Sequence, residues 1–165
     1  MPVRPILRFP DPRLKLPAAP VTVFDDALRD LAMDLLDTLR AAPGIGITAP
    51  HIGVSLRLVV LDLDPDRGAQ IYVNPEITWA SPELIMHQEG SVSMPGVQDD
   101  IQRHRQIRIS YQDLGGNACT EESSDFRAVC HQHEIDQLDG VFWLQRLSRL
   151  KRDRLIKRFA KISRA

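Results

Sequence analysis

The apolar runs in the middle of this chain are joined by links too short for anything but antiparallel pairing. Residues 56–63 (LRLVVLDL) and 70–79 (QIYVNPEITW) read as strands from their β-branched and aromatic content, with Asp64-Pro65-Asp66-Arg67-Gly68 as the loop between them. A parallel crossover needs about a dozen residues or more, so each run must fold back beside its neighbour. Further strands are expected at 83–88, 105–112 and 117–122, the last two joined by a turn at Leu114-Gly115-Gly116.

Helical spacing frames this sheet. Leu28, Leu31, Leu35, Leu36 and Leu39 recur at intervals of three and four, with Asp25 and Asp26 ahead of them and Arg40 behind, which predicts a helix over 25–40. Pro43-Gly44-Ile45-Gly46 ends it. Residues 124–138 (SDFRAVCHQHEIDQL) return to helical spacing through Phe126, Val129, His133 and Leu138, with Ser123 or Ser124 as N-cap and Gly140 as the stop. A third helix follows on a stripe of Leu147, Leu150, Leu155, Phe159 and Ile162. Residues 1–23 carry six prolines and should run as an extended arm with turns, wrapped on the domain. With 165 residues, 43% hydrophobic and 26% charged, and no internal repeat, the expectation is one α+β domain spanning 1–165.

The formal net charge is −1, but residues 146–165 hold nine bases against the single acid Asp153, leaving 1–145 at −9. An acidic body that ends in a basic tail is not a generic DNA binder. Cys119 and Cys130 are too few for a disulfide framework and too far apart for a CxxC pair, which fits a cytoplasmic protein. No apolar stretch approaches the ~18 residues of a membrane helix, so neither export nor membrane insertion is expected.

His133-Glu134-Ile135-Asp136-Gln137 carries the most chemistry. In the zinc-hydrolase pattern HExxH, histidines four apart share a helical face and bind the ion while the glutamate activates its water. Here Gln137 stands in place of the second histidine. Of the remaining histidines, His131 falls on another face of the helix, and His87 and His104 read as exposed strand or loop residues. Cys130 reads as packing, Asp99-Asp100 and Glu121-Glu122 as solvated turns and edges, and Trp79 and Trp143 as packing residues.

Three stretches in order resemble the motifs of the peptide deformylases: Gly44-Ile45-Gly46-Ile47-Thr48-Ala49-Pro50-His51 against GxGxAAxQ, Glu89-Gly90-Ser91-Val92-Ser93 against EGCxS, and the HEIDQ segment against HExDH. The similarity extends through ILRFPDPRL near the start, Asn74-Pro75-Glu76-Ile77, Met94-Pro95-Gly96, Arg103 and IRISYQDLGGN, nearly the whole chain. It implies a small α+β fold with an antiparallel sheet around the central HExxx-bearing helix and a basic helix at the C-terminus. It also implies a hydrolase of the N-formyl group on the initiator methionine of nascent chains. In the family a divalent metal, often iron, is held by the cysteine of EGCxS and the two histidines of HExDH.

Carried onto this chain, the resemblance makes Glu134 the acid/base residue, His133 the first metal ligand, and Gly46 and Val92 the substrate and oxyanion positions. It breaks at Ser91, which stands at the cysteine ligand, at Gln137, which stands at the second histidine, and at His51, which stands at the oxyanion glutamine. A neutral hydroxyl and a neutral amide replace an anionic thiolate and an imidazole. The expectation is therefore a deformylase-like protein with weak or no metal-dependent activity and no tightly bound cofactor. The alternative is an active formyl-peptide hydrolase whose Fe2+ or Zn2+ sits in a remodelled site built on His51 and His133. LSRLKRDRLIKRFAKI resembles the helix by which some bacterial deformylases dock on the ribosome, so the expected partners are ribosomal RNA and formyl-methionyl nascent peptides.

Overall fold

A computed structural model of the chain describes residues 3–164. Past the N-terminal arm, the order is α1 (Asp26–Ala41), β1 (Gly46–Thr48), β2 (Leu58–Leu61), β3 (Gln70–Ala80), β4 (Leu84–Ser91), β5 (Met94–His104), β6 (Gln106–Gln112), β7 (Ala118–Ser124), α2 (Asp125–Leu138) and α3 (Arg149–Arg164). The architecture is α+β. One sheet runs β1-β2-β3-β6-β7, every pair antiparallel, and β4 and β5 form a separate antiparallel hairpin.

The expected helix at 25–40 is α1. Asp25 caps it, its Oδ1 accepting the Leu28 N–H at 3.1 Å. The predicted leucine stripe is buried against Ile47, Leu58, Val60 and Val73, so α1 covers the β1–β3 end of the sheet. The proline-rich arm runs extended with a turn at Phe9-Pro10 and a 3-10 turn at Pro12–Lys15, and its Ala18 N–H bonds the Leu138 carbonyl at the end of α2.

Two strands were not anticipated. β1 has only three residues. β5 alternates inward through Val97, Ile101 and a buried Arg103, and a charged side chain at an inward position conceals a period-two pattern from a reading that expects apolar residues there.

α2 differs from the helix its spacing suggested. Phe126 is largely exposed, whereas Ala128 to Gln132, Glu134, Ile135, Gln137 and Leu138 are all buried. A helix covered on most sides has no polar face to give it a strong period. Ser124 is its N-cap by position without a side-chain bond, and Gly140, at φ 79°, turns the chain where a Cβ would meet the Lys15 carbonyl oxygen at 2.6 Å.

α3 packs on β5 through Leu155 and Phe159, with Leu147 just before it, over Met94, Val97, Ile101, Phe142 and Trp143. Leu150 and Ile162 depart from the expected stripe and are exposed. Trp143 is core as expected, but Trp79 is a surface residue with the Arg108 guanidinium 5.8 Å from its ring centroid. Glu121 also departs from expectation. It is the centre of a half-buried network, accepting hydrogen bonds from Tyr72 (2.7 Å), Ser123 (2.5 Å) and Arg127 (2.9 Å), with His131 Nε2 at 2.6 Å. Burial would raise its pKa, but these bonds hold it well below the usual carboxylate range. No helix among the described residues is long and apolar enough to cross a membrane.

Candidate active cleft

A cavity of about 720 Å³ lies where four elements meet. From α2 come Cys130, His133 and Glu134; from the chain entering β1 come Gly44, Ile45 and Gly46. The β4–β5 turn supplies Ser91, Val92 and Met94, and the 3-10 turn Ala49–Ile52 supplies His51. Six of the seven residues singled out from the sequence, Gly46, His51, Ser91, Val92, His133 and Glu134, therefore border one space. Gln137 does not border it.

Glu134 is buried at the cleft, and its Oε1 has no hydrogen-bond partner among the described residues. Burial pushes its pKa up to about 7; neighbouring His133 and Arg103 pull it down and Glu89 adds to the rise. Gly46 must be glycine for a steric reason, since a Cβ there would fall on Glu134 Oε2 and stand 3.0 Å from Leu61 Cδ2.

His133 is held by Glu89, with Nδ1 2.8 Å from Oε1, in the carboxylate–histidine arrangement that fixes a ring and aims its other nitrogen. Burial opposes a charge on the ring, but Glu134 and Glu89 outweigh it and raise the His133 pKa. Glu89 itself, though buried, is held down to about 2 by the bidentate guanidinium of Arg103 (2.8 and 2.9 Å) and by His133. Arg103 also reaches Asp136 at 2.6 Å, which in turn accepts two bonds from Arg146 (2.9 and 2.8 Å). An alternating chain of charges thus runs from the cleft to the foot of α3. Glu89 and Asp136 stand at matched positions of the EGCxS and HExDH motifs, but nothing in the sequence pointed to their bonds with Arg103, His133 and Arg146.

His51 is 1% exposed. The backbone N–H of Thr48 donates to its Nδ1 at 2.9 Å, with the Thr48 hydroxyl at the same distance. This is one half of a capping box, the third residue of a turn reaching back to the N-cap amide. A backbone N–H only donates, so Nδ1 is unprotonated and the ring proton sits on Nε2. Burial, with His133 beside it, lowers the His51 pKa to about 3, so the ring stays neutral.

Cys130 borders the cavity with a thiol pushed up to about 12 by burial and by Glu134 and Glu89, which makes it a packing group rather than a thiolate. Of the histidines expected on the surface, His104 is exposed, whereas His87 stands at the cavity wall with its ring 4.7 Å from that of Phe126.

The residues present do not fit the family's metal. The Ser91 hydroxyl accepts the Ser93 N–H at 3.1 Å. Gln137 turns its amide out of the cleft to donate to the Leu14 carbonyl at 2.7 Å. With Nδ1 taken up by the Thr48 N–H and the proton on Nε2, the neutral His51 ring has no free lone pair to offer an ion. No group of three or more His, Cys, Asp or Glu suited to a metal occurs among the described residues.

Residues 3–153 match the polypeptide deformylase family model. The chain is 72% identical to a peptide deformylase-like protein of Bradyrhizobium diazoefficiens over 99% of its own length and 96% of the relative's. It is 42% identical to a peptide deformylase of Methylocella silvestris over 98% and 85%. The crystal structure of a peptide deformylase from Legionella pneumophila superposes with a TM-score of 0.94 at 36% identity, covering 99% of this chain and 96% of the other. The fold, the motifs and these relatives agree: the chain belongs to the peptide deformylase family.

Proposed function

We propose that this protein binds formyl-methionyl N-termini of nascent chains in the cleft and hydrolyses them weakly or not at all. The observation that carries this reading is the hydrogen bond from Gln137 to Leu14, which commits the second ligand position to the backbone while the rest of the cleft stays built. Disturbing even a partner behind a metal ligand costs about 10–100-fold in affinity, and two ligand positions here hold neutral groups otherwise engaged. The relatives above 50% identity are named peptide deformylase-like, whereas those near 40% are named peptide deformylase, which supports setting this group apart.

Binding needs no ion. β1 is an edge strand with one side unpaired, and the Gly44–Gly46 segment leading into it borders the cavity, so an extended peptide has a backbone to pair with. Ile45, Val92, Val97 and Val129 offer an apolar wall for a methionine side chain. Glu134 keeps a carboxyl group at the reacting end, able to hold or pass a proton. For an active hydrolase built on His51 and His133, the ring of His51 would have to give up the Thr48 amide and carry its proton on Nδ1.

The partner reading is the ribosome, in the cytoplasm. Arg154, Lys157, Arg158, Lys161 and Arg164 of α3 are exposed and make no ion pair with an acid among the described residues, an arrangement suited to an RNA phosphate surface.

The test is formate release from a formyl-methionyl peptide by the purified protein supplied in turn with iron, nickel, cobalt or zinc, beside a Ser91→Cys/Gln137→His variant. Formate from the variant alone supports the reading. Wild-type turnover near that of the variant overturns it.

A further inference from the structure

The N-terminal arm forms one wall of the cleft and brings to it a charge that nothing nearby answers. Val3, Arg4, Ile6 and Arg8 all border the cavity. The chain is pinned on both sides of Arg8: the Leu7 N–H donates to the His51 carbonyl at 2.7 Å and the Phe9 N–H to the Ser93 carbonyl at 2.9 Å. Leu7 and Phe9 pack on the core that holds Met94 and Phe142, so in this extended stretch the Arg8 side chain between them turns the other way, toward the cavity.

The arginines and carboxylates of the cavity wall are Arg4, Arg8, Glu89 and Glu134. Arg4 is paired with Asp34 at 2.8 Å and Glu89 with Arg103 and His133, while burial opposes a charge on Glu134. Arg8 is exposed, and its guanidinium has no hydrogen bond or ion pair among the described residues. The cleft therefore turns one uncompensated arginine toward whatever it holds.

We propose that Arg8 is an anion subsite of the cleft, its guanidinium holding a carboxylate of the bound peptide, so that the protein selects ligands that carry an acidic group. The inference rests on the peptide-binding reading above and adds a charge requirement to it. A planar guanidinium matches a carboxylate with two parallel N–H bonds. The wall offers no second free arginine or lysine to share a doubly charged phosphate, since Asp34 already engages Arg4. A peptide supplies carboxylates from two sources. A short released peptide has one at its C-terminus, whereas a chain still attached to the ribosome has only those of its Asp and Glu side chains.

The experiment is calorimetric titration of the full chain, without added metal, for wild type, Arg8→Met and Arg8→Lys. The ligands are formyl-Met-Ala-Ser, its C-terminal amide, and the amides of formyl-Met-Asp-Ser and formyl-Met-Ala-Asp. Wild type is expected to bind a carboxylate-bearing peptide roughly fivefold or more tighter than the neutral amide, as a charge-assisted bond implies. Arg8→Met should bring that preference to within about twofold and leave the neutral amide unchanged, and Arg8→Lys should keep part of it. Preference for the free C-terminus alone assigns the subsite to short released peptides; preference among the amides assigns it to acidic side chains. Equal binding of all four peptides to wild type, or full preference retained in Arg8→Met, overturns the role of Arg8 and leaves peptide binding standing. Binding of none overturns both. The wild-type preference should also shrink on raising the salt from 0.05 to about 0.5 M, a readout independent of the variants, and a preference that salt leaves untouched overturns the inference alone.

Discussion

The Gln137 side chain donates to the Leu14 carbonyl at 2.7 Å in the same way that a metal-bound histidine gives its outer N–H to a backbone carbonyl. His133 has the matching support from Glu89. The outer partners of two ligand positions are thus in place although one of the two ligands is not. Histidine at 137 can bond Leu14 through Nδ1 and leave Nε2 for an ion. Ser91→Cys/Gln137→His is therefore expected to retain about one divalent ion per chain after desalting, by elemental analysis, and each single variant far less. Failure of the double variant to hold an ion would mean that the supporting shell has also been lost.

The neutral His51 ring makes stability fall in acid. Its pKa is near 3 in the folded chain against an ordinary 6.5 in the unfolded chain, so the contribution is whole above pH 6.5. As pH drops from 6.5 toward 3, the unfolded chain takes up a proton that the folded chain refuses. Between pH 7 and pH 4 the wild type should lose about 3 kcal/mol more than His51→Gln in urea denaturation. Parallel profiles for the two proteins would show that the ring is charged in the folded state.

Arg103 is 4% exposed between Glu89 and Asp136. Replacing it with methionine leaves the Glu89 carboxylate buried with only His133 beside it, which is expected to cost about 3–5 kcal/mol. Arg103→Met/Glu89→Gln should regain part of that loss, because the stranded charge is removed. The urea midpoints of the three proteins measure it, and a double variant no better than the single would place the loss in packing instead.

Truncation before Arg146 strips Leu147, Leu155 and Phe159 from Met94, Val97 and Ile101. The shortened chain is expected to unfold or aggregate, so deleting the tail does not isolate its charge. Changing Arg154, Lys157, Arg158 and Lys161 to Gln should leave the melting temperature within a few degrees. It should weaken co-sedimentation with ribosomes and lower the salt slope by about one for each phosphate contact removed. Unchanged sedimentation would remove RNA as the partner of this face.

Much of the fold was legible because short links and leucine spacing leave few choices: α1, β2, β3, β6, β7 and α3 all fall close to the expected segments. β5 was not legible, since Asp99 and Arg103 occupy inward positions that only the partners across from them explain. In the cleft, motif order brought Gly46, His51, Ser91, Val92, His133 and Glu134 to one place. What each side chain bonds was hidden. The engagement of Gln137 by Leu14 spans 123 positions and that of His133 by Glu89 spans 44, and no periodic pattern encodes either. The His51 tautomer depended on a backbone amide, which every residue except proline carries alike.

The chain of charges from His133 to Arg146 closes on itself electrically. Glu89 and Asp136 are answered by Arg103 and Arg146, and the other buried acid of the cleft, Glu134, has its pKa pushed up to about 7 by burial. On the reading proposed above, a cleft whose buried charges are already answered from within needs no ion to complete its folding. Cells starved of iron or zinc should make this protein at full yield, holding the deformylase scaffold ready when a metal-dependent relative would lie empty.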